Sequence, residues 1–179
     1  MEHAASAQLN AASRQQILAI ARMALEHGSR HGSPVKVRYG GNLPAGLLAM
    51  RASFVTVELD RRLRGCIGSV VPHRQLLPDI ITNTYKAGFG DPRFAPMSRE
   101  EVSHAHVSVS ILSHARQMTF QNEDDLIAQL RPDQDGLILR DGKHQGLFLP
   151  SVWRGIPKAD DFVRRLKNKA GLPLDHWSS

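Results

Sequence analysis

One cysteine in 179 residues leaves no partner for an intrachain disulfide and excludes an all-cysteine zinc site. Aromatic residues make up 6% of the chain, and no aromatic-rich RNA-binding signature accompanies its basic stretches. Apolar runs such as Gly46–Met50 and Leu147–Pro150 fall far short of the ~20 residues that a membrane span needs. Met1–Asn10 contains Glu2 and lacks the apolar stretch of a secretory signal, so the expectation is a cytoplasmic protein without a membrane partner. No GxGxxG, Walker A or G-x-S-x-G run occurs, so the usual nucleotide and hydrolase fingerprints are missing and no cofactor is called for.

What is present fits an ordinary folded chain. At 41% hydrophobic and 22% charged residues it is neither disordered nor fibrous. A chain of this length buries about 70% of its unfolded surface, so it folds without a metal or disulfide. Lysine and arginine number 23 against 17 acidic residues, a net charge of +6. Such a balance suits acidic partners, nucleic acid among them. The basic residues lie in two stretches, Arg61, Arg62 and Arg64, then Arg164, Arg165, Lys167 and Lys169. The second reads as the solvated face and last turn of a helix, which is favoured over a nucleic-acid groove.

Hydrophobic periodicity gives the elements. Ile17, Ile20, Ala21, Ala24 and Leu25 form one stripe of a helix over Arg14–His27, opened by Ser13 with Gln16 and closed by Gly28. Ser29–Pro44 is a winding connection with one short strand at Val35–Tyr39. Phe54–Leu59 alternates as a strand, Asp60–Arg62 turns, and Leu63–Val71 returns. Helices follow at Pro78–Phe89 and after the Ser98/Glu101 capping box, then a strand at Val107–Leu112. Asn122 caps an acidic first turn, Asp141-Gly142 signals a hairpin between Leu137–Arg140 and Gln145–Leu149, and Lys158–Ala170 is the last helix. Helices and hairpins without βαβ alternation predict an α+β fold with antiparallel sheets and flanking helices.

Three segments have chemical potential. In Leu63-Arg64-Gly65-Cys66-Ile67-Gly68, strand alternation places Arg64, Cys66 and Gly68 on one face and Leu63, Gly65 and Ile67 on the other. Glycine weakens a strand, so two beside one cysteine mark close approach of another backbone or of a ligand. Arg64 would favour a thiolate at Cys66. With no base at fixed spacing, however, a small packed side chain is the favoured reading of this cysteine. Asp91-Pro92-Arg93-Phe94 is a stiff turn in which Arg93 either grips an anion or pairs with Asp91 to hold the turn. His104 and His106 make an H-x-H pair near His114, but spacing supplies no third ligand, and solvent-facing histidines are the favoured reading.

The hexapeptide at residues 63–68 resembles the hallmark of the AMMECR family, whose microbial members are called AmmeMemoRadiSam system protein A. The resemblance extends to Phe54-Val55-Thr56-Val57, Asp91-Pro92-Arg93-Phe94, Val107-Ser108-Val109-Ser110, Asp135-Gly136-Leu137, Gly146-Leu147-Phe148-Leu149-Pro150 and Lys169-Ala170-Gly171-Leu172. The family's cysteine shortly before this last block is replaced here by Leu166-Lys167-Asn168. The resemblance implies two unequal α+β subdomains, the larger holding both termini, with the hexapeptide facing a cleft between them. It also implies association with a Memo-like protein and a radical S-adenosylmethionine protein. The functional expectation is a cleft around residues 63–68, Asp91 and Arg93 that binds a protein or peptide. The alternative is a thiol enzyme with Cys66 as nucleophile, and a weaker one is nucleic-acid binding through the basic faces.

Overall fold

A computed structural model of the chain describes residues 10–36, 43–113 and 115–177. It divides into two compact units, residues 1–114 and 115–179. The first contains α1 (Ala11–His31), α2 (Ala45–Leu48), β1 (Ser53–Leu59), β2 (Arg62–Gly68), α3 (Leu76–Phe89), α4 (Arg99–His104) and β3 (His106–Ile111). The second contains α5 (Glu123–Gln129), β4 (Leu137–Asp141), β5 (His144–Phe148), a 3-10 turn (Pro150–Arg154) and α6 (Ala159–Lys169). Its sheets are antiparallel, one ordered β2-β1-β3 and the other β4-β5, which makes the fold α+β. The units are unequal, and α6 belongs to the smaller one.

The first helix is longer than its apolar stripe suggests. Asn10 caps it by accepting the N–H of Ser13 at 2.8 Å, which leaves Ser13 inside the helix and no capping box with Gln16. It ends at Gly32, whose φ of 63° gives the left-handed cap. Gly28 stays helical because it is a contact point: a Cβ there would lie 2.5 Å from Phe89 Cε2. Ile17, Ala21 and Ala24 bury against Leu76, Leu77, Ile80 and Ile81 of α3. Of the short strand expected at Val35–Tyr39, residues 37–39 lie outside the described residues, and Val35 packs against this same cluster without strand geometry. His114 also lies outside them.

The sheet of the first unit buries Val55 and Val57 completely against Leu25, Ala87, Met97 and Val102, as the alternation of β1 predicts. Its hairpin turn is two residues long: Asp60 and Arg61 both have positive φ (49° and 63°), the requirement of a type I′ turn. A bulge follows. Pairing runs Leu59↔Arg62 and Glu58↔Leu63, then jumps to Val57↔Gly65 and Thr56↔Cys66, which leaves Arg64 without a cross-strand partner. The jump moves Leu63 onto the face of Cys66 and separates it from Gly65 and Ile67, so the simple alternation of the hexapeptide is broken at Arg64.

Helix α3 is tied to β1 by a polar network that no periodicity reveals. The backbone N–H and hydroxyl of Ser53 donate to Asp79 Oδ2 at 3.0 and 2.7 Å. Asn83 Nδ2 donates to the same oxygen at 2.9 Å and to the Ser53 carbonyl at 3.1 Å. All three residues are buried, so each polar group needs these partners. At its far end α3 lies directly on β2, because Gly65 has no Cβ to hold it off.

In the second unit Phe162, Val163 and Leu166 of α6 are fully buried with Trp153, whose ring stacks on Phe162 at 3.8 Å. Burial contributes about 1.5–3 kcal/mol for each such aliphatic or aromatic side chain. The β4–β5 turn is Gly142-Lys143, with Asp141 paired to His144, one residue later than the Asp141-Gly142 signal suggests. Arg164 and Arg165 are solvated as expected. Lys167 is not: it is buried, and its Nζ donates to Glu123 Oε1 at 2.6 Å. Lys169 Nζ donates to the Leu147 carbonyl at 2.9 Å.

A methyl group at Gly65 would sit 1.9 Å from the Ala87 carbonyl oxygen, a backbone atom that cannot step aside. Gly65→Ala is therefore expected to lose about 3 kcal/mol or more, beyond the ordinary range of overpacking. Gly142→Ala meets open space and only a positive φ of 54°, costing about 1–2 kcal/mol. Urea melts of the two variants check this; equal losses would contradict the close approach of α3 to β2.

Candidate functional site

The hexapeptide lies at the edge of its sheet, since β2 pairs with β1 alone. An edge strand presents unpaired N–H and C=O groups, and a protein must cover or tolerate them. Here the turn after α3 covers them. Asp91 Oδ2 accepts the N–H of Cys66 at 2.9 Å, and Arg93 Nη2 donates to the carbonyl of Cys66 at 3.3 Å. One peptide segment is thus gripped on both of its polar groups by two side chains two residues apart. Those side chains are themselves locked together, with Arg93 Nη2 and Nε donating to the Asp91 carboxylate at 2.6 and 3.0 Å. The Arg93 backbone N–H adds a further bond to Asp91 Oδ1 at 3.1 Å.

Asp91 is 2% exposed and Arg93 52% exposed, so the carboxylate is the buried half of this pair. The side-chain hydrogen bonds from Arg93 hold the Asp91 carboxyl well below the usual carboxylate range, against its burial and with help from the Cys66 N–H. The same bonds push the Arg93 guanidinium up. Of the two readings of this turn, the geometry supports the pairing of Asp91 with Arg93.

Arg64 does not reach toward the thiol. As the bulged residue it turns to α4, where Nε and Nη2 meet the two carboxylate oxygens of Glu101 at 2.7 and 3.2 Å. Glu101 also completes the capping box with Ser98, accepting the Ser98 N–H at 2.8 Å. Arg64 foremost, and then the Ser98 N–H, lower the Glu101 carboxyl from its ordinary value. Both guanidiniums lie over the Phe94 ring, with its centroid 5.7 Å from Arg64 Cζ and 5.4 Å from Arg93 Cζ.

Cys66 is half-buried, not packed away as the sequence reading favours, and Thr56 Oγ1 donates to its Sγ at 3.4 Å. Among the described residues no imidazole, carboxylate or amine is hydrogen-bonded to that sulfur. The two flanking glycines mark backbone neighbours rather than a ligand path: Gly65 meets Ala87 of α3, and Gly68 would place a Cβ 2.4 Å from the Ser53 carbonyl oxygen. The sheet face that carries Cys66 also carries Phe54, Thr56, Leu63, Ser108 and Ser110, with Glu58 and His106 at the end beside Leu63. Those side chains are half-buried or exposed, Leu63 at 44%.

The structure therefore brings Arg64, Gly65, Cys66, Asp91 and Arg93 together around one edge strand. It adds Glu101, Thr56 and Phe94, which the spacing of residues did not connect with the hexapeptide. His104 ends α4 while His106 opens β3, so the H-x-H pair shares no strand face. His106 instead lies 3.8 Å from Glu58. No described helix is long and apolar enough to cross a membrane.

A two-unit α+β chain with this hexapeptide on a braced edge strand defines the same class of protein that its motifs resemble. Comparison with known proteins agrees. The AMMECR1 family model matches residues 18–179, and the chain belongs to that family. A Methanothermobacter thermautotrophicus protein is 37% identical over 162 residues, covering 89% of this chain and 82% of its own length. A Thermotoga maritima protein is 36% identical over 146 residues, or 76% of this chain and 80% of its own. The crystal structure of an uncharacterized Pyrococcus horikoshii protein matches with a TM-score of 0.82 at 28% identity, over 90% of this chain and 81% of that one.

Asp91→Asn keeps an acceptor for the Cys66 N–H but removes the carboxylate charge that Arg93 meets, and a hydrogen bond to a charged group contributes about 1.5–3 kcal/mol. Because folding depresses this carboxyl, its stabilisation is complete above the ordinary carboxylate range near pH 4 and declines as pH falls below it. Asp91→Asn is therefore expected to be less stable than the wild type at pH 7, with the gap narrowing toward pH 2.5 in urea melts. A gap that stays constant from pH 7 to pH 2.5 would contradict the assignment.

Proposed function

We propose that the braced hexapeptide strand is a surface that binds a protein or peptide segment, and that Cys66 serves there as a contact rather than as a nucleophile. The observation that supports this is the state of the charges. Arg64 is committed to Glu101 and Arg93 to Asp91, so neither is a free cation beside the sulfur. A nucleophilic thiol requires an adjacent base or an electropositive setting, and the hydroxyl of Thr56 supplies neither. What the strand offers instead is an ordered face of Thr56, Leu63, Cys66 and Ser108, bordered at one end by Glu58 and His106. Small polar and apolar side chains on a rigid strand suit recognition of another chain, since little side-chain entropy is lost on contact.

The family resemblance directs the choice of partner toward a Memo-like protein and a radical S-adenosylmethionine protein. Both are to be offered in purified form, from the organism that encodes this chain, to the wild type, Leu63→Asp and Cys66→Ser. The wild type and Cys66→Ser are expected to bind at least one of them with similar affinity, and Leu63→Asp at least tenfold more weakly. Binding or turnover that is lost in Cys66→Ser and kept in Leu63→Asp would overturn the proposal in favour of the thiol enzyme.

A further inference from the structure

The net charge is not evenly placed. Residues 1–114 hold 13 of the 23 basic and 8 of the 17 acidic residues, which assigns them five of the six net positive charges. Within that unit a groove of about 370 Å³ runs beside α1 and α4, bordered by Arg22, Glu26, Ser29, Arg30, Arg99 and Ser103. It shares no residue with the hexapeptide strand or its brace.

Its three arginines differ in kind. Arg22 is fully engaged: Nε pairs with Glu26 at 2.9 Å, Nη1 donates to the Ala105 carbonyl at 2.8 Å, and Nη2 donates to the Ser103 carbonyl at 3.2 Å. These bonds join α1 to the C-terminal carbonyls of α4 and hold the floor of the groove in place. They also neutralise Glu26, the one acidic side chain that borders the groove. Arg30 and Arg99 are exposed, and among the described residues neither has a hydrogen-bond, ion-pair or ring partner. Two unengaged guanidiniums therefore border one concavity whose other charges cancel.

Two forked guanidiniums match a dianionic tetrahedral group better than a single carboxylate, because each can supply a pair of parallel N–H donors to adjacent oxygens. Ser29 stands at the same border. A concavity of this size falls within the range of small-ligand sites and suits one ligand of about mononucleotide size. We propose that this groove is a binding site for a small phosphate-bearing molecule, with its phosphate held between Arg30 and Arg99.

The test uses the full chain with inorganic phosphate, pyrophosphate and adenosine monophosphate as probes, followed by calorimetry at low and at physiological salt. At least one probe is expected to bind saturably with one site per chain. Arg30→Ala and Arg99→Ala should each weaken it at least fivefold, and the double variant should abolish it. Neither residue has a described partner, so these variants are expected to melt with the wild type. Arg61→Ala with Arg62→Ala, which alters equally exposed charge at the hairpin turn, should leave binding unchanged. Absence of saturation with all three probes, survival of binding in the double variant, or an equal loss in the Arg61/Arg62 variant would overturn the proposal. So would tighter binding of a single-stranded 12-mer DNA with a steep salt dependence, which would assign the charge to nucleic acid instead.

Discussion

The grip of Asp91 and Arg93 on the backbone N–H and C=O of Cys66 is the contact on which the hexapeptide's arrangement depends. An edge strand with two glycines is a weak element: it lacks a second neighbour, and glycine contributes no side chain to pack. The Asp91 carboxylate and the Arg93 guanidinium stand in for the missing strand by accepting one hydrogen bond and donating another. With that edge closed, Gly65 can lie against the backbone of α3 at Ala87. Helix α3 is fixed at its other end by Ser53, Asp79 and Asn83, so both anchors lead back to β1 and β2. The turn at Asp91 follows directly from the end of α3, and the elements close on one another.

Charge pairing then decides what this arrangement can do. A bulge at Arg64 sends its side chain to Glu101, and the turn sends Arg93 to Asp91, so these two guanidiniums are matched by carboxylates while Arg61 and Arg62 stay exposed at the hairpin turn. Chemistry at Cys66 that would draw on an unpaired Arg64 or Arg93 finds both in ion pairs. Recognition by a rigid strand does not depend on an unpaired cation. Two further unengaged guanidiniums, Arg30 and Arg99, border a groove elsewhere in the same unit, and the basic run of α6 is partly consumed by Glu123 and the Leu147 carbonyl.

Much of the fold was legible because it follows from periodicity and caps. The alternation of Val55, Val57 and Leu59, the Ser98/Glu101 capping box and the Phe162, Val163 and Leu166 stripe all appear in space as they read in sequence. Boundaries moved where two signals competed: Asn10 capped α1 ahead of Ser13, and Gly32 ended it beyond Gly28. The bulge was not legible, since nothing local to Arg64 distinguishes a paired residue from an extra one, yet it decides which residues join Cys66. The Arg64–Glu101 pair spans 37 residues and the Cys66–Asp91 bond 25, and local pattern carries no information over such separations. Lys167 reads as a solvated lysine until Glu123 is placed beside it.

The most direct measurement of the central claim is amide hydrogen exchange at Cys66. If Asp91 accepts its N–H, that amide exchanges about as slowly as those of the central strand β1, although it points away from the sheet. Replacing Asp91 with Ala should then release it far more than its neighbours in β1. Exchange of Cys66 in the wild type at the rate of an open, unpaired strand edge would contradict the account.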